Sequence, residues 1–283
     1  MGREHGVSGR FRAAAADWLE PTRLERGTQN TERGTQNAEN RALDAMRGTQ
    51  GPEAGQTKRR EERSTMKLLL IRHGQTPGNV AGQLDTAFPG PGLTGLGERQ
   101  AAALPEALAA ESIDALYTST LLRTQRTVLP LAKATGLEPT ILDGVHEIEA
   151  GSLEKKTDHE SHLRYMNTVF AWTDGDLDVR MPGAYTGHDF FARFDASVEE
   201  VAAAGHETAV IVSHGAAIRC WAGRRASDID AVFARTHQLP NTGIVALEGD
   251  PASGWRVLHW DQLPVGGTAL AGQNAEDPTG EAL

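Results

Sequence analysis

The sequence predicts an α/β protein, a three-layer sandwich in which a mostly parallel central sheet carries helices on both faces. Strand-length apolar runs without polar alternation, such as Lys67–Arg72 and Thr208–Ser213, are typical of strands buried on both sides. Between such runs lie longer segments with helical spacing. Gly187–Ala204 is the clearest of them, because its phenylalanines fall on one face. Strands that alternate with helices in this way favour parallel pairing through crossover helices.

The predicted elements follow one another closely from Met66 onward. The strands are expected at Lys67–Arg72, Ile113–Thr118, Pro139–Leu142 and Thr208–Ser213, followed by a closing hairpin of Gly243–Glu248 and Trp255–Trp260. The helices are expected at Thr94–Glu111, Thr120–Thr135, His159–Trp172 and Gly187–Ala204, with a further one from about Ala216. Pro105 and Pro130 fall inside two of these helices, where a proline removes a backbone donor and kinks the helix.

Residues 1–65 differ from the rest of the chain. They are polar and charged and nearly lack aromatic and β-branched apolar residues, which is the composition of a disordered extension. The tetrapeptide RGTQ occurs three times from Arg26 onward, but it puts Gly, Thr and Gln where a coiled coil needs apolar residues. Met66 is an alternative start, since MKLLLIRHG is a natural opening strand. We therefore expect a folded domain over residues 66–265 and a disordered tail over the Gly-, Ala- and acid-rich residues 266–283.

Charge and cysteine content restrict the function. The net charge at pH 7 is −10, although residues 1–65 carry 12 Lys/Arg against 10 Asp/Glu. The acidic remainder lacks the clustered cations that bind a phosphate backbone, so no nucleic-acid partner is expected. No apolar run approaches the ~20 residues of a membrane span, so no membrane partner is expected either. Cys220 is the only cysteine, and without an internal disulfide or a secretory signal the expected location is the cytoplasm.

Two of the predicted strands end alike. The first ends in an RHG motif that contains His73, and the later one ends in an SHG motif that contains His214. In parallel α/β sheets, ligands bind beyond the carboxyl ends of the strands. If the two strands are neighbours, both histidines project into one crevice, and the glycines after them let backbone N–H groups approach an anion. A single histidine at a strand end is more often structural, whereas two such His-Gly pairs with an arginine beside one of them are as compatible with an anion-binding site as with a structural role.

The stretch RHGQTPGN, from Arg72 to Asn79, resembles the signature of the histidine phosphatase superfamily, the phosphoglycerate mutase-like clan. Further similar stretches occur in the family's order: GLTGLGERQA (Gly92–Ala101), TSTLLRTQRT (Thr118–Thr127), HEIEAGSLE (His146–Glu154), VSHGAAIR (Val212–Arg219) and NTGIVALE (Asn241–Glu248). The resemblance covers about Lys67–Trp260. It implies that residues 66–265 form a catalytic domain, and that the chain is a metal-independent phosphohydrolase that acts through a phosphohistidine.

The resemblance also implies roles for particular residues. His73 is the expected nucleophile, a neutral imidazole whose other nitrogen is held by a backbone hydrogen bond so that its lone pair faces the substrate. Arg72 and Arg123 are expected to clamp the phosphoryl oxygens, because planar guanidinium groups suit phosphate geometry. His214 is expected to complete the pocket. Glu147 is the expected acid, which protonates the leaving oxygen and then activates water.

Two further residues are expected to contact the phosphate, Asn79 through its side-chain amide and Gly215. By chemistry alone, Glu149 is as good a candidate for the acid as Glu147. Only the spacing to Gly151, which matches the family, selects Glu147.

Two departures from the family pattern concern the substrate side of the pocket. The family often carries a PGGES-like turn before a long helix, and here the turn reads PGAYT, so that Tyr185 stands in place of the usual acidic residue. Glu154 is followed by two lysines where many members have a glycine. Neither departure touches the residues expected to hold the phosphate.

The sequence thus predicts a phosphomonoester hydrolase that acts on small phosphorylated metabolites, without a metal ion or other cofactor. The alternative is a cofactor-dependent phosphoglycerate mutase, which shields the phosphohistidine from water. Mutases of the family carry an NRFTGW-like stretch after the nucleophile motif, where this chain reads NVAGQLDTAFPGPG. A third candidate is a non-catalytic phosphate-ester binding protein, against which the intact set of expected catalytic residues argues. The oligomeric state, including a homodimer, is left open.

Overall fold

The computed structural model describes residues 65–272 and 277–282, so the predicted extension over residues 1–65 lies, apart from Thr65, outside the described residues. Six strands form one sheet: β1 (Met66–Arg72), β2 (Ala115–Ser119), β3 (Thr140–Leu142), β4 (Thr208–Ser213), β5 (Ile244–Asp250) and β6 (Gly254–Trp260). Their order across the sheet is β3-β2-β4-β1-β5-β6. The first four strands pair in parallel, whereas β5 pairs antiparallel with both β1 and β6. The predicted mostly parallel sheet is confirmed.

The helices connect these strands. They are α1 (Pro77–Val80), α2 (Gly95–Ala107), α3 (Leu122–Thr135), α4 (His159–Asp174), α5 (Gly187–Ala203), α6 (Gly215–Arg225) and α7 (Ala231–Thr236). Pro105 and Pro130 lie inside α2 and α3, and both helices continue past them. Within residues 65–272 and 277–282, no helix combines the length and the apolar character that crossing a bilayer requires.

The helices pack on both faces of the sheet, because side chains alternate along the strands. Leu69 and Ile71 of β1 belong to one core cluster, together with Leu104 of α2 and apolar residues of α3. Leu68 and Leu70 point to the opposite face, into a larger cluster that also contains residues of α4, α5 and α6. The protein therefore has three layers, as the sequence predicts.

The C-terminal part of the chain differs from the sequence prediction. Residues 266–283 are expected to be disordered, but Gly267–Leu270 form a 3₁₀ helix and residues 277–282 form a turn. Asp277 and Thr279 of this turn are buried. The correction has a physical reason: a polar, Gly-rich segment has no core of its own, yet it becomes ordered where buried arginines supply partners for its oxygen atoms.

Candidate active site

The carboxyl ends of β1 and β4 bring the two predicted histidines together. The strands are adjacent and parallel, with Arg72 opposite Ser213. The ring centroids of His73 and His214 are therefore only 5.2 Å apart, with an angle of 61° between the ring planes. The two histidines are therefore neighbours, as expected for adjacent parallel strands.

The hydrogen bonding of His73 fixes which of its ring nitrogens is free. Nδ1 lies 2.8 Å from the carbonyl oxygen of Gly74, and this oxygen accepts a hydrogen bond only if Nδ1 carries the proton. The lone pair is then on Nε2. Burial, reinforced by the charges of Arg123 and Arg72, lowers the pKa of His73 well below its usual 6.5. At neutral pH the side chain is therefore an uncharged imidazole with a free lone pair, which is the state a nucleophile needs.

Three buried nitrogens around His73 have no hydrogen-bond partner among the described residues: Nε of Arg72, Nη1 of Arg123 and Nδ1 of His214. The other ring nitrogen of His214 lies 2.7 Å from the Ser119 hydroxyl, and a hydroxyl that donates to it leaves the proton on Nδ1. A buried donor without a partner costs about 1–3 kcal/mol. Three such donors, two of them on guanidinium groups, fit an anion with several oxygen atoms.

Arg123 is held inside the protein by its place in the first turn of α3. Burial lowers the pKa of Arg123 to about 10, while the negative charge of Glu147 works against this shift. Arg123 therefore stays positively charged at neutral pH. Arg126, almost one turn further along the helix, is half-exposed and lies 3.7 Å from Glu98, as expected for a surface arginine.

Glu147 is almost completely buried, and backbone N–H groups hold its carboxylate. Oε1 accepts from Ile148 and from Ala217, at 2.9 Å each, and Oε2 accepts from Ala216 at 3.3 Å. Burial raises the pKa of Glu147, although these hydrogen bonds and the charge of Arg123 oppose the shift. The side chain can therefore act as an acid closer to neutral pH than an exposed glutamate.

Glu149, the alternative candidate for the acid, and the nearby Glu154 lie in different surroundings. Glu149 is exposed. Glu154 accepts hydrogen bonds from the backbone N–H and the hydroxyl of Thr86. Of the three glutamates, only Glu147 is buried.

The two lesser predicted phosphate contacts are placed differently. Gly215 begins α6, and a Cβ at this position would lie 3.0 Å from Nε of Arg72, so glycine permits the close approach. In Asn79, Oδ1 accepts from the backbone N–H of Thr76 at 3.0 Å, and Nδ2 donates to Asp277 at 3.3 Å. Asn79 is therefore close to the site, but its amide is engaged within the protein.

Arg193 of α5 is a supporting residue that the sequence interpretation missed. Its guanidinium donates to the backbone carbonyls of Gly144, His146 and Glu147, and to the hydroxyl of Tyr185 at 3.0 Å. The same hydroxyl accepts from the backbone N–H of Glu149 at 2.9 Å. Tyr185, noticed only as a departure from the family pattern, thus helps Arg193 to fix the segment that carries Glu147.

A cavity of about 630 Å³ opens beside this segment and beside the start of α3. Three carboxylates line it, Asp143, Glu149 and Glu154, together with the apolar side chains of Phe88 and Leu121. No lysine or arginine is among the described residues that line it. Across residues 65–272 and 277–282, no group of three or more His, Cys, Asp or Glu side chains is arranged to hold a metal ion.

A sequence model of one family matches residues 68–262, and the family is the histidine phosphatase superfamily (branch 1). The chain belongs to this superfamily. Its relatives and structural neighbours include several phosphatases.

Three of these proteins illustrate the range of sequence identity and coverage. The chain is 40% identical over 218 residues to PE-PGRS family protein PE_PGRS11 of Mycobacterium tuberculosis, covering 71% of this chain but only 37% of that protein's length. It is 30% identical over 155 residues to phosphoserine phosphatase 1 of Hydrogenobacter thermophilus, covering 54% of this chain and 73% of that one. The solved structure of a mycobacterial glucosyl-3-phosphoglycerate phosphatase superposes with a TM-score of 0.59 at 25% identity, covering 69% of this chain and 98% of that one. Other relatives carry phosphoglycerate mutase names.

Proposed function

We propose that this chain hydrolyses phosphate monoesters of small metabolites through a phosphohistidine formed on His73. The observation that carries the proposal is the surroundings of His73: a neutral imidazole with a free lone pair lies beside three buried donors that have no partner among the described residues. A phosphoryl group supplies the oxygen atoms that these donors lack. The names of the relatives support the same reaction class.

In the first step, Nε2 of His73 attacks phosphorus, and the bond between phosphorus and the ester oxygen breaks. Arg72, Arg123 and His214 stabilise the negative charge that spreads over the phosphoryl oxygens. Glu147 gives its proton to the leaving oxygen, so that the product leaves as a neutral alcohol. The raised pKa of Glu147 supports this role, because a general acid has to be protonated when the leaving group departs.

In the second step, a water molecule attacks the phosphorus of the phosphohistidine, and the P–N bond breaks. Glu147, now a carboxylate, accepts a proton from this water. Inorganic phosphate is released, His73 regains its lone pair on Nε2, and Glu147 is protonated again. Both half-reactions use side chains of this chain alone.

The lining of the neighbouring cavity supports a restriction on the leaving group. Asp143, Glu149 and Glu154 repel a group that carries a carboxylate, and no lining cation among the described residues compensates for them. A neutral, hydroxyl-rich or cationic group meets no such repulsion. The cavity volume of about 630 Å³ lies in the range of small-molecule sites, which is ~300–1,000 Å³. The preferred substrates are therefore phosphate esters of neutral or amino alcohols.

The same nucleophile would serve a phosphoglycerate mutase, which is the second candidate. Its substrate carries a carboxylate beside the phosphate ester, so the acidic cavity argues against it. We expect conversion of 3-phosphoglycerate to 2-phosphoglycerate to be negligible beside hydrolysis. Efficient conversion that 2,3-bisphosphoglycerate stimulates would replace the phosphatase proposal by the mutase.

The test is a turnover assay with EDTA present, on p-nitrophenyl phosphate, glycerol 3-phosphate, phosphoethanolamine and 3-phosphoglycerate. Arginines supply the positive charge in the proposed mechanism, so hydrolysis should survive exhaustive chelation. Glycerol 3-phosphate and phosphoethanolamine should give a higher kcat/KM than 3-phosphoglycerate. Activity that EDTA abolishes and a divalent ion restores would overturn the mechanism. Esters that bind but are not hydrolysed would indicate the third candidate, a phosphate-ester binding protein.

A further inference from the structure

The C-terminal turn, residues 277–282, contacts Arg72, the residue immediately before the nucleophile His73. Nη2 of Arg72 donates to Oδ2 of Asp277 at 2.6 Å and to the hydroxyl of Thr279 at 3.0 Å. Nη1 of Arg72 donates to the carbonyl oxygen of Leu239 at 2.8 Å. The ion pair is deeply buried, with side-chain exposures of 1% for Arg72 and 5% for Asp277. A contact that joins residues 205 positions apart thus links the tail to the end of β1.

The contacts around the turn bind Nη1 and Nη2 of the Arg72 guanidinium but not Nε. Both terminal nitrogens of Arg72 are bound on the side of the turn, whereas Nε has no partner among the described residues. A Cβ on Gly215, the first residue of α6 after His214, would lie 3.0 Å from this Nε. Nε of Arg72 therefore lies beside the start of α6, next to His214, where the same Cβ would also lie 2.6 Å from the carbonyl oxygen of Thr279. Nη1 of Arg123 and Nδ1 of His214 also have no partner among the described residues while the turn is in place.

The turn is itself fixed by further contacts. Arg219 of α6 donates to the carbonyl oxygens of Thr279 at 3.3 Å and of Glu281 at 2.7 Å. The backbone N–H of Asp277 donates to the carboxylate of Glu281 at 3.0 Å. Gly280 is packed so closely that a Cβ there would lie 1.7 Å from Nη1 of Arg72. The position of the guanidinium and the path of the turn therefore depend on each other.

From these contacts we infer that Asp277 is a positioning residue for Arg72, and that the turn it belongs to completes the phosphate site. The inference rests on the proposed function, in which Nε of Arg72 meets the phosphoryl group. A long arginine side chain that is free to rotate loses rotamer freedom when it binds an oxyanion. Asp277 removes this cost in advance by holding the guanidinium in the orientation that binding needs. It does so without occupying Nε of Arg72, Nη1 of Arg123 or Nδ1 of His214, which have no partner among the described residues.

The experiment compares the full-length wild type with three variants: Asp277→Asn, Asp277→Glu and Gly280→Ala. Glu248→Gln is the control, because Glu248 is a surface carboxylate paired with Arg256 on the distant hairpin. Affinity for inorganic phosphate and for vanadate is measured by calorimetry, and kcat and KM are measured with p-nitrophenyl phosphate. Removing a partner that orients a functional group typically costs ~10–100-fold in activity. We expect a loss of this size in kcat/KM, and a similar loss in vanadate affinity, for Asp277→Asn and Gly280→Ala.

Two further readouts separate positioning from general stability. Asp277→Glu should recover part of the loss, since it restores the charge, while Gly280→Ala disturbs Arg72 without changing any charge. The pH dependence of kcat should stay as in the wild type, because His73 and Glu147 are unchanged. Thermal unfolding identifies any variant that fails to fold, and phosphate affinity is then read from the variant that folds.

The possible results are distinct. If Asp277→Asn binds phosphate more tightly or turns over faster, the turn blocks the site and the inference is wrong. If all variants match the wild type, Asp277 has no role in binding and the inference is also wrong. A wild type that binds phosphate but hydrolyses no ester would refute the proposed function, whereas the effect of the variants on phosphate affinity would still decide the role of Asp277.

Discussion

At the residue scale, burial shifts the pKa values of His73 and Glu147 in the directions that the first step needs. Burial lowers the pKa of His73, which keeps the imidazole neutral and nucleophilic. Burial raises the pKa of Glu147, which favours the protonated form that a general acid uses. One physical cause, the loss of hydration, thus prepares both a base and an acid. Arg123 opposes the shift in Glu147, whereas Arg123 and Arg72 both enhance the shift in His73.

Replacing the nucleophile tests the covalent step. His73→Ala should abolish turnover and should also abolish all acid-labile, base-stable phosphorylation of the protein, because Nε2 is the atom that forms the P–N bond. The measurement is rapid quenching with a labelled substrate, followed by a test of stability in acid and base. His188→Ala is the control, since His188 is an exposed side chain next to Asp178. A phosphorylated protein that persists in His73→Ala would place the covalent bond elsewhere.

Replacing the acid tests proton transfer. Glu147→Gln should lower turnover of glycerol 3-phosphate by ~10²–10⁴, the usual contribution of general acid–base catalysis. The loss should be smaller with p-nitrophenyl phosphate, because its leaving group needs little protonation, and phosphoenzyme should then accumulate. Glu248→Gln is the control, because Glu248 is a surface carboxylate paired with Arg256 on the distant hairpin.

The pH profile checks the same assignment. In the wild type, kcat/KM should fall on the acid side, below pH 6.5, as His73 becomes protonated, and on the alkaline side as Glu147 loses its proton. The alkaline limb should disappear in Glu147→Gln. Equal, small effects of this substitution on both substrates would mean that another carboxylate is the acid.

At the element scale, the sequence predicts those parts of the site that lie in short motifs. It does not predict contacts between residues that are far apart in the chain. β1 and β4 each end in a recognisable motif with a histidine. Because the two strands are parallel neighbours, His73 and His214 lie close together. The contact of Arg72 with Asp277 has no such signal, because it joins a strand end to an acid-rich tail whose composition favours disorder. The role of Arg193 was hidden for a similar reason, since its partners are backbone carbonyl oxygens, which any sequence supplies.

The contact between α5 and the segment that carries Glu147 can be tested at Tyr185. Tyr185→Phe removes an oxygen that accepts from Arg193 and from the backbone of Glu149. Each lost hydrogen bond is worth about 1 kcal/mol, so the free energy of unfolding should fall by roughly 1–2 kcal/mol. Urea denaturation measures this change. Tyr117→Phe is the control, because the Tyr117 hydroxyl forms no hydrogen bond with any residue that the structure describes. A loss no greater than in this control would contradict the supporting role of Tyr185.

At the scale of the whole molecule, the family match and the described sheet coincide. The match spans residues 68–262, and the strands run from Met66 to Trp260. The division at residue 65 stays a prediction, because the preceding residues lie outside the described part of the chain. The ordered C-terminal turn beyond Trp260 was not predictable from composition, since its order depends on Arg72 and Arg219.

A chain that begins at Met66 should therefore fold and keep full turnover. Every strand of the described sheet, and every residue given a catalytic role, lies at or after this position. Circular dichroism and the p-nitrophenyl phosphate assay, compared with the full-length protein, check the prediction. An insoluble product, or the loss of most activity, would show that residues 1–65 contribute to the folded enzyme. Ending the shortened chain at residue 283 keeps the C-terminal turn and isolates the effect of the extension.

The direction of β1 has a practical consequence. This strand enters the sheet at Met66 and reaches the nucleophile only at its far end, seven residues and roughly 20 Å later. Material attached ahead of Met66 is therefore joined on the side of the sheet remote from His73. A tether placed there, whether a longer polypeptide or a solid support, should leave the catalytic end exposed to dissolved substrate. Immobilised through this point, the enzyme should keep the KM that it has when free.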